Sequence, residues 1–473
     1  MRLHRCAALA AMLSMPAVVS GADDIEALKK QIQELDQKVR ILERKNELNA
    51  ESAETKSKDS PRLTAGTSGF SFSSADTNFV LKVRGYVQAD GRFYVNDHIP
   101  ANDTFLMRRV RPIFEGTVFK YYDYRIMLDF ASGINSSAAN NGFLQDGYLN
   151  IHYWPQFQIQ VGKFKPPVGL ERLQSGANLL FAERGLPTQL VPNRDVGIQL
   201  HGELFNGALN YQAGVFNGVQ DAGSGDSDVG TDDHKDAAAR LFARPFKNTK
   251  IGPLQGLGVG VAGTYGNQAG TLPTFRTPGQ QAFFSYATGS GNTFTNVVAD
   301  GEHWRLVPQA YWYWGPFGVF GEYVISSQKI RRDVLTAPTN AVSSGFDTAH
   351  NGAWQVAASW FVTGEQNSFS PVTPSHPLNF GGEGWGALEL AGRYGELTLD
   401  DELFGGGGAP SFATGASARK VRSWGVGVNW YLNKNIKLTL DYDQTKFRGG
   451  SKRPGAVTAQ DERVIISRAQ FSF

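Results

Sequence analysis

Ile465-Ile466-Ser467-Arg468-Ala469-Gln470-Phe471-Ser472-Phe473 closes the chain as a short alternating tail that ends on an aromatic. A final strand of this kind predicts a β-barrel set in an outer membrane. There the last strand has to pair with the first, because an open sheet edge in lipid would leave backbone groups without partners. The terminal aromatic also looks like the signal that outer-membrane assembly machinery reads. A barrel in that membrane is expected to be a pore.

The other end agrees with this reading. Arg2, His4 and Arg5 precede an apolar stretch from Cys6 to Val19, and Ser20-Gly21-Ala22 offers small residues for cleavage. Residues 1–22 are therefore expected to be a secretory signal peptide. Cys6 is the chain's only cysteine, so the mature protein is expected to have no disulfide, no cysteine metal site and no thiol nucleophile. No later segment reads as a long apolar helix.

Composition suits a barrel. Only 41% of the 473 residues are hydrophobic and mean hydropathy is −0.30, as expected where every second strand residue meets lipid. The 46 Lys and Arg balance the 44 Asp and Glu, and losing Arg2 and Arg5 with the leader makes the two counts equal. Any ion preference must then come from where charges sit, and no bulk basicity suggests a nucleic-acid partner.

From Phe79 the period is two. Phe79, Leu81, Val83, Gly85, Val87, Ala89, Gly91 and Phe93 alternate with Val80, Lys82, Arg84, Tyr86, Gln88, Asp90, Arg92 and Tyr94. One face suits lipid and the other water. Fifteen further segments, the last at 462–473, predict an all-β transmembrane barrel of about 16 antiparallel strands over 79–473. Short connections such as 120–123, 155–156, 315–316 and 433–435 alternate with long polar ones such as 217–237, 266–302, 327–352 and 400–420. Long loops outside and short periplasmic turns are the rule for such barrels. The connection 364–385 is long where a short turn is expected, which leaves room for a miscounted strand. Aromatics crowd the short turns as an interfacial girdle.

Before the barrel, Ile25, Leu28, Ile32, Leu35, Val39 and Leu42 recur at steps of three and four. They predict a short coiled-coil helix over 23–51, placed in the periplasm. Its β-branched a positions favour two strands, while barrel porins are commonly trimers; a homotrimer is expected. Residues 52–78, rich in Ser, Thr, Gly, Asp and Lys, read as a flexible linker.

The connection 165–194 carries Lys165, Arg172 and Arg184 with Glu171 and Glu183, and is expected to fold into the lumen. It begins in Val161-Gly162-Lys163-Phe164-Lys165-Pro166-Pro167-Val168-Gly169-Leu170-Glu171-Arg172. Ser175, Phe181-Ala182-Glu183-Arg184 and Pro192-Asn193-Arg194-Asp195-Val196-Gly197 follow. With Gly214–Gly218, Arg108-Arg109 and Asp146-Gly147-Tyr148, this stretch resembles the phosphate-selective porins of the O and P type. The resemblance runs over the whole barrel and is densest over 105–246. It implies an outer-membrane anion channel with a constriction site. Arg172, Ser175 and Arg184 would come from the loop, and Arg108 or Arg109 with Asp146 from facing strands. Phosphate-binding members usually carry Lys where this chain has Arg172, which exchanges a point charge for a planar fork.

The residues themselves support a basic wall without the family. Lys82, Arg84 and Arg92 lie beside Arg109 and Arg111 on the water-facing registers, with Arg125 on the next strand. Such a wall opposite a basic loop concentrates anions. Asp90, Glu115 and Asp129 share those faces and could instead neutralise it. Small anionic solutes and membrane lipid are the expected partners. Arg172 and Arg184 are expected to line the narrowest passage, with charges that do not titrate near neutrality. No cofactor is expected: Gly258-Val259-Gly260-Val261-Ala262-Gly263 matches a dinucleotide fingerprint but sits inside a strand with no helix after it. No metal is expected either, since Asp226, Asp228, Asp232, Asp233 and Asp236 lack the EF-hand order. No nucleophile–base pair points to an enzyme. The alternatives are a porin of general or different selectivity, or a barrel that anchors a periplasmic coiled coil.

Overall fold

The computed structural model describes residues 23–95, 102–131, 144–225, 233–289, 293–336, 342–405, 411–449 and 461–473. Residues 1–22, the expected leader, and most of the aspartate-rich loop at 226–236 lie outside them. Two units are distinct: an N-terminal helical unit and the barrel with residues 62–73.

Sixteen strands, from Val80–Tyr94 to Glu462–Ser472, each pair antiparallel with their chain neighbours. The first and last pair along Tyr86–Tyr94 and Val464–Ser472, which closes the barrel. Phe473 completes the seam: its N–H donates to the Gly85 carbonyl and its own carbonyl accepts from the Gly85 N–H, both at 3.0 Å. Gly85 has to lack a side chain, because a Cβ there would stand 3.0 Å from the Phe473 ring and 2.9 Å from the Arg111 carbonyl. The terminal aromatic therefore has a physical place in the closed wall.

The alternation sorts side chains as lipid and water require. Val426, Leu440, Ile198 and Val215 stand exposed on the outer face, while Arg92, Gln355, Asp441 and Arg468 are buried inside. The glycines of the fingerprint-like stretch make room for neighbouring rings. A Cβ on Gly258 would sit 2.6 Å from the Phe242 ring and 2.7 Å from the Tyr311 ring, both inside the barrel. Tyr121 stacks on Tyr153 at the turn end, and Phe317 stacks on Trp360.

The wall is uneven. Thr293–Trp314, Phe317–Thr336 and Val342–Phe361 have 22, 20 and 20 residues. Tyr122–Leu128, Phe157–Phe164 and Leu209–Phe216 have 7, 8 and 8. The expected loops 266–302 and 327–352 are thus largely strand. Once past the bilayer a strand needs only a neighbour to bond with, and apolar alternation no longer marks it. The 364–385 connection contains no strand among the described residues and leaves the count at sixteen. Asn367 N–H donates to the Gly315 carbonyl and Leu378 N–H to Leu432, so it lies at the short-turn end.

The expected linker is not a linker. The helix Asp23–Asp59 runs past residue 51, and Arg62–Gly66 and Gly69–Ser73 form a hairpin. Its second strand pairs with Val80–Val83, the part of the first barrel strand that the last strand does not reach. Gly69-Phe70-Ser71-Phe72-Ser73 has period two, and the unpaired backbone beside it supplied the partner that composition alone hides.

Candidate anion site

Pro166-Pro167 turns the chain out of the strand Phe157–Phe164, and residues 165–194 cross the lumen before returning to Asp195–Leu204. The far wall holds the crossing by its backbone. Glu322 accepts from the N–H groups of Leu170 and Glu171 at 2.6 and 3.3 Å, and Asp441 accepts from Ala182 N–H at 2.6 Å. Asn429 donates to the Leu180 carbonyl, Lys437 Nζ to Leu179 and Arg393 to Glu183, at 2.8, 2.8 and 2.7 Å. A loop in a wet lumen carries many backbone groups, and these polar wall residues satisfy them.

Glu183 anchors the loop at the seam between the first strands and the last. Its carboxylate accepts from Arg108 at 2.5 and 3.0 Å, from Arg92 at 2.9 Å and from Arg468 at 3.2 Å, with Arg109 at 3.8 Å. Burial would raise its pKa, but the charges of Arg108, Arg109, Arg92 and Arg468 hold the carboxyl well below the usual range. A bulge makes this cluster. Gln88 pairs with Arg109 and Ala89 with Met107, so Arg108 is an extra residue that escapes alternation and reaches the lumen side.

An open cavity of about 300 Å³ lies between the other side of the loop and the short-strand wall. Arg111, Arg125, Lys165 and Arg194 line it, with Asp146, Tyr86 and Ser175. Arg111 bonds Asp129 at 2.6 Å, Tyr86 hydroxyl at 2.9 Å and Gln145 at 3.4 Å. Asp146 takes Arg194 at 2.8 Å and Arg125 at 3.3 Å. Lys165 Nζ donates to the carbonyls of Gln174 and Leu173, at 2.6 and 3.3 Å. Burial, then the charges of Arg184 and Arg194, push the Lys165 ammonium well below its ordinary pKa. Ser175 is exposed to the open space, its Oγ accepting from Ala177 N–H at 3.3 Å.

The structure therefore divides the seven residues that sequence singled out. Arg111, Asp146 and Ser175 meet at the cavity. Arg108 and Arg109 go to the Glu183 anchor, and Arg109 also donates to Gln88 at 2.7 Å. Arg172 and Arg184 turn towards the loop itself. Arg172 donates to the Thr188 carbonyl and to Asn193 Oδ1, and Arg184 to the carbonyls of Glu171 and Gln174 at 3.1 and 2.7 Å. Their expected orientation into the narrowest passage is corrected here: carbonyls of the loop's own turns hold both guanidinium groups. Lys165, Arg125, Arg194 and Tyr86 take the places at the cavity. Arg125 and Tyr86 were legible from the inward register. Lys165 was visible as a cation of the inward loop, but its meeting with Arg194 was not, because only the fold brings the two ends of the loop together.

In the opposite half of the lumen aromatic and aliphatic side chains pack together. Phe369, from the long turn 362–386, stacks on Tyr311 at 5.6 Å and packs with Leu170, Phe242, Phe320 and Ala357. At the other end Phe275, Phe283, Phe284, Tyr286, Leu403 and Phe412 form a buried cluster of loop residues. Space for a solute is left beside the basic wall.

A closed sixteen-stranded barrel with an inward loop and a basic cavity beside it is the architecture of an outer-membrane porin. The chain belongs to the family of phosphate-selective porins O and P, whose model matches residues 81–473, and it is an outer-membrane anion channel. It is 24% identical to Porin O of Pseudomonas aeruginosa over 437 residues, covering 86% of this chain and 91% of that protein. The outer membrane channel DcaP of Acinetobacter baumannii matches with a TM-score of 0.50 and 13% identity, over 87% of this chain and all of that one. An anion-selective porin from Comamonas acidovorans matches at 0.45 and 12%, over 83% and 99%. The likeness to DcaP bears on the fold.

Proposed function

We propose that the cavity beside Lys165 and Ser175 is the selectivity site, and that it binds phosphate or related small oxyanions in transit. One observation carries this: four cations line the cavity and one carboxylate does. Asp129 and Glu115 pair with Arg111 and Arg125, so the surplus is small, but it acts in a confined space where each charge counts for more than in bulk water. Guanidinium groups also match oxyanions with paired bonds. The Arg111→Gln, Arg194→Gln double variant should lower the anion-to-cation permeability ratio about tenfold, roughly 1.4 kcal/mol. Phosphate should then stop inhibiting chloride current. An unchanged reversal potential in a folded double variant would overturn the assignment.

We further propose a homotrimer whose N-terminal helices associate in the periplasm. The six seam residues from Ile25 to Leu42 are 45–61% exposed, an apolar stripe that copies of the same helix would cover. The hairpin that follows the helix joins the barrel at its short-turn end. Deleting residues 23–59 should leave single-channel conductance unchanged while weakening assembly. Loss of conductance from a correctly inserted variant would contradict a separate coil.

A further inference from the structure

The lipid-facing surface carries a charged cluster that the passage does not use. It spans three neighbouring strands, Lys420–Tyr431, Ile436–Arg448 and Glu462–Ser472. From the short-turn end their outward residues are apolar, Ser467 apart, as far as Trp424, Tyr442 and Ile465. Beyond that band, and past Gln444 on the second strand, they become cationic: Arg422 and Lys420 on the first strand, Lys446 and Arg448 on the second, Arg463 on the third. Their chain neighbours Val421, Ser423, Thr445, Glu462 and Val464 are buried inside, so all five cations share the outer face.

The register sets like charges directly opposite one another. Arg422 pairs with Lys446 and Lys420 with Arg448. Opposed like charges on one sheet face are destabilising. Glu396, on the next strand, relieves part of this by taking Lys420 at 2.5 Å and Arg422 at 2.6 Å. Asp461 stands 3.9 Å from Lys446. Arg448 and Arg463 have no ion pair among the described residues. Among the described residues of this patch, five cations therefore face two carboxylates at the rim of the barrel that carries the long loops, the outward end in such barrels.

We propose that this patch binds the phosphate groups of anionic lipid in the outer leaflet. The patch is open and convex, so it offers a small free ion no enclosure against water. It is continuous with the exposed apolar surface of Trp424, Val426 and Leu440. A ligand with a phosphate head and acyl chains satisfies both surfaces at once, the head on the arginine forks and the chains on the apolar band. That ligand also removes the cross-strand repulsion the protein leaves in place.

The test uses the purified full-length protein in a neutral detergent, titrated with fluorescent lipopolysaccharide that is either intact or dephosphorylated. Intact lipid should bind at least tenfold more tightly than the dephosphorylated form. Arg422→Gln, Lys446→Gln, Arg448→Gln and Arg463→Gln together should remove that difference while leaving single-channel conductance unchanged. Glu396→Gln should tighten binding of intact lipid severalfold, which gives a second reading if the quadruple variant does not fold. Equal binding of the two lipid forms, or unchanged binding in Glu396→Gln, would overturn the proposal. Displacement of intact lipid by inorganic phosphate at equal concentration would assign the patch to a free ion and would also overturn it.

Discussion

The two halves of the lumen use the same residue types for opposite ends. On the short-strand side, Arg111, Arg125 and Arg194 face an open cavity. On the far side, Glu322, Arg393, Asn429, Lys437 and Asp441 spend their polarity on the backbone of the crossing loop. Inward charge in a barrel is therefore not by itself a sign of a solute path. What separates selectivity from scaffolding is whether the charged group still borders open space, as Lys165 does although it also bonds loop carbonyls. Glu183 sits at the border and binds the scaffold to the first strands.

The largest effect should come from breaking that border. Glu183→Gln leaves Arg92, Arg108 and Arg468 without their shared carboxylate. Removing one partner of a buried charge cluster costs about 3–5 kcal/mol. The urea midpoint of the reconstituted barrel should fall accordingly, and single-channel current should become noisy as the loop loosens. An unchanged midpoint with quiet channels would show that the anchor is not structural, and the contrast between the halves would fail.

A second, smaller effect should distinguish the open half by pH. Lys165 has its pKa pushed well below the ordinary lysine value by burial and by Arg184 and Arg194. A lowered pKa means that charge present at acid pH is lost as pH rises through the shifted value. Anion preference should therefore decline with rising pH in the native channel, while Lys165→Met should show a low and flat profile. Current–voltage curves across a pH series measure this. A flat profile in the native channel would return the preference to the arginines alone.

The smallest effect on selectivity should come from the far half. Lys437→Met removes the donor to the Leu179 carbonyl and leaves that carbonyl without its partner. Stability should drop by about 1–3 kcal/mol. The permeability ratio should stay within error of the native value. A changed ratio would place Lys437 on the solute path.

Much of this was legible along the chain. Period-two alternation showed which residues face lipid, and the lengths of connections gave the strand count to within a doubtful turn at 364–385. Phe473 announced the closing strand, and Arg111, Asp146, Ser175 and the inward loop were visible as a group. These features repeat along one strand or follow from the chemistry of one residue type, so local sequence carries them. The upper parts of the three long strands after Thr293 escaped notice because no lipid selects their faces. The hairpin at 62–73 escaped because its partner lies on another strand. The division of the arginines was decided by tertiary structure alone. Arg108 owes its inward position to one bulge, and Arg172 and Arg184 owe theirs to carbonyls that exist only once the loop has turned. A guanidinium group bonds to the first unsatisfied acceptors it meets. Sequence determines that the charge is present, and the folded backbone determines whether an acceptor reaches it before a solute does.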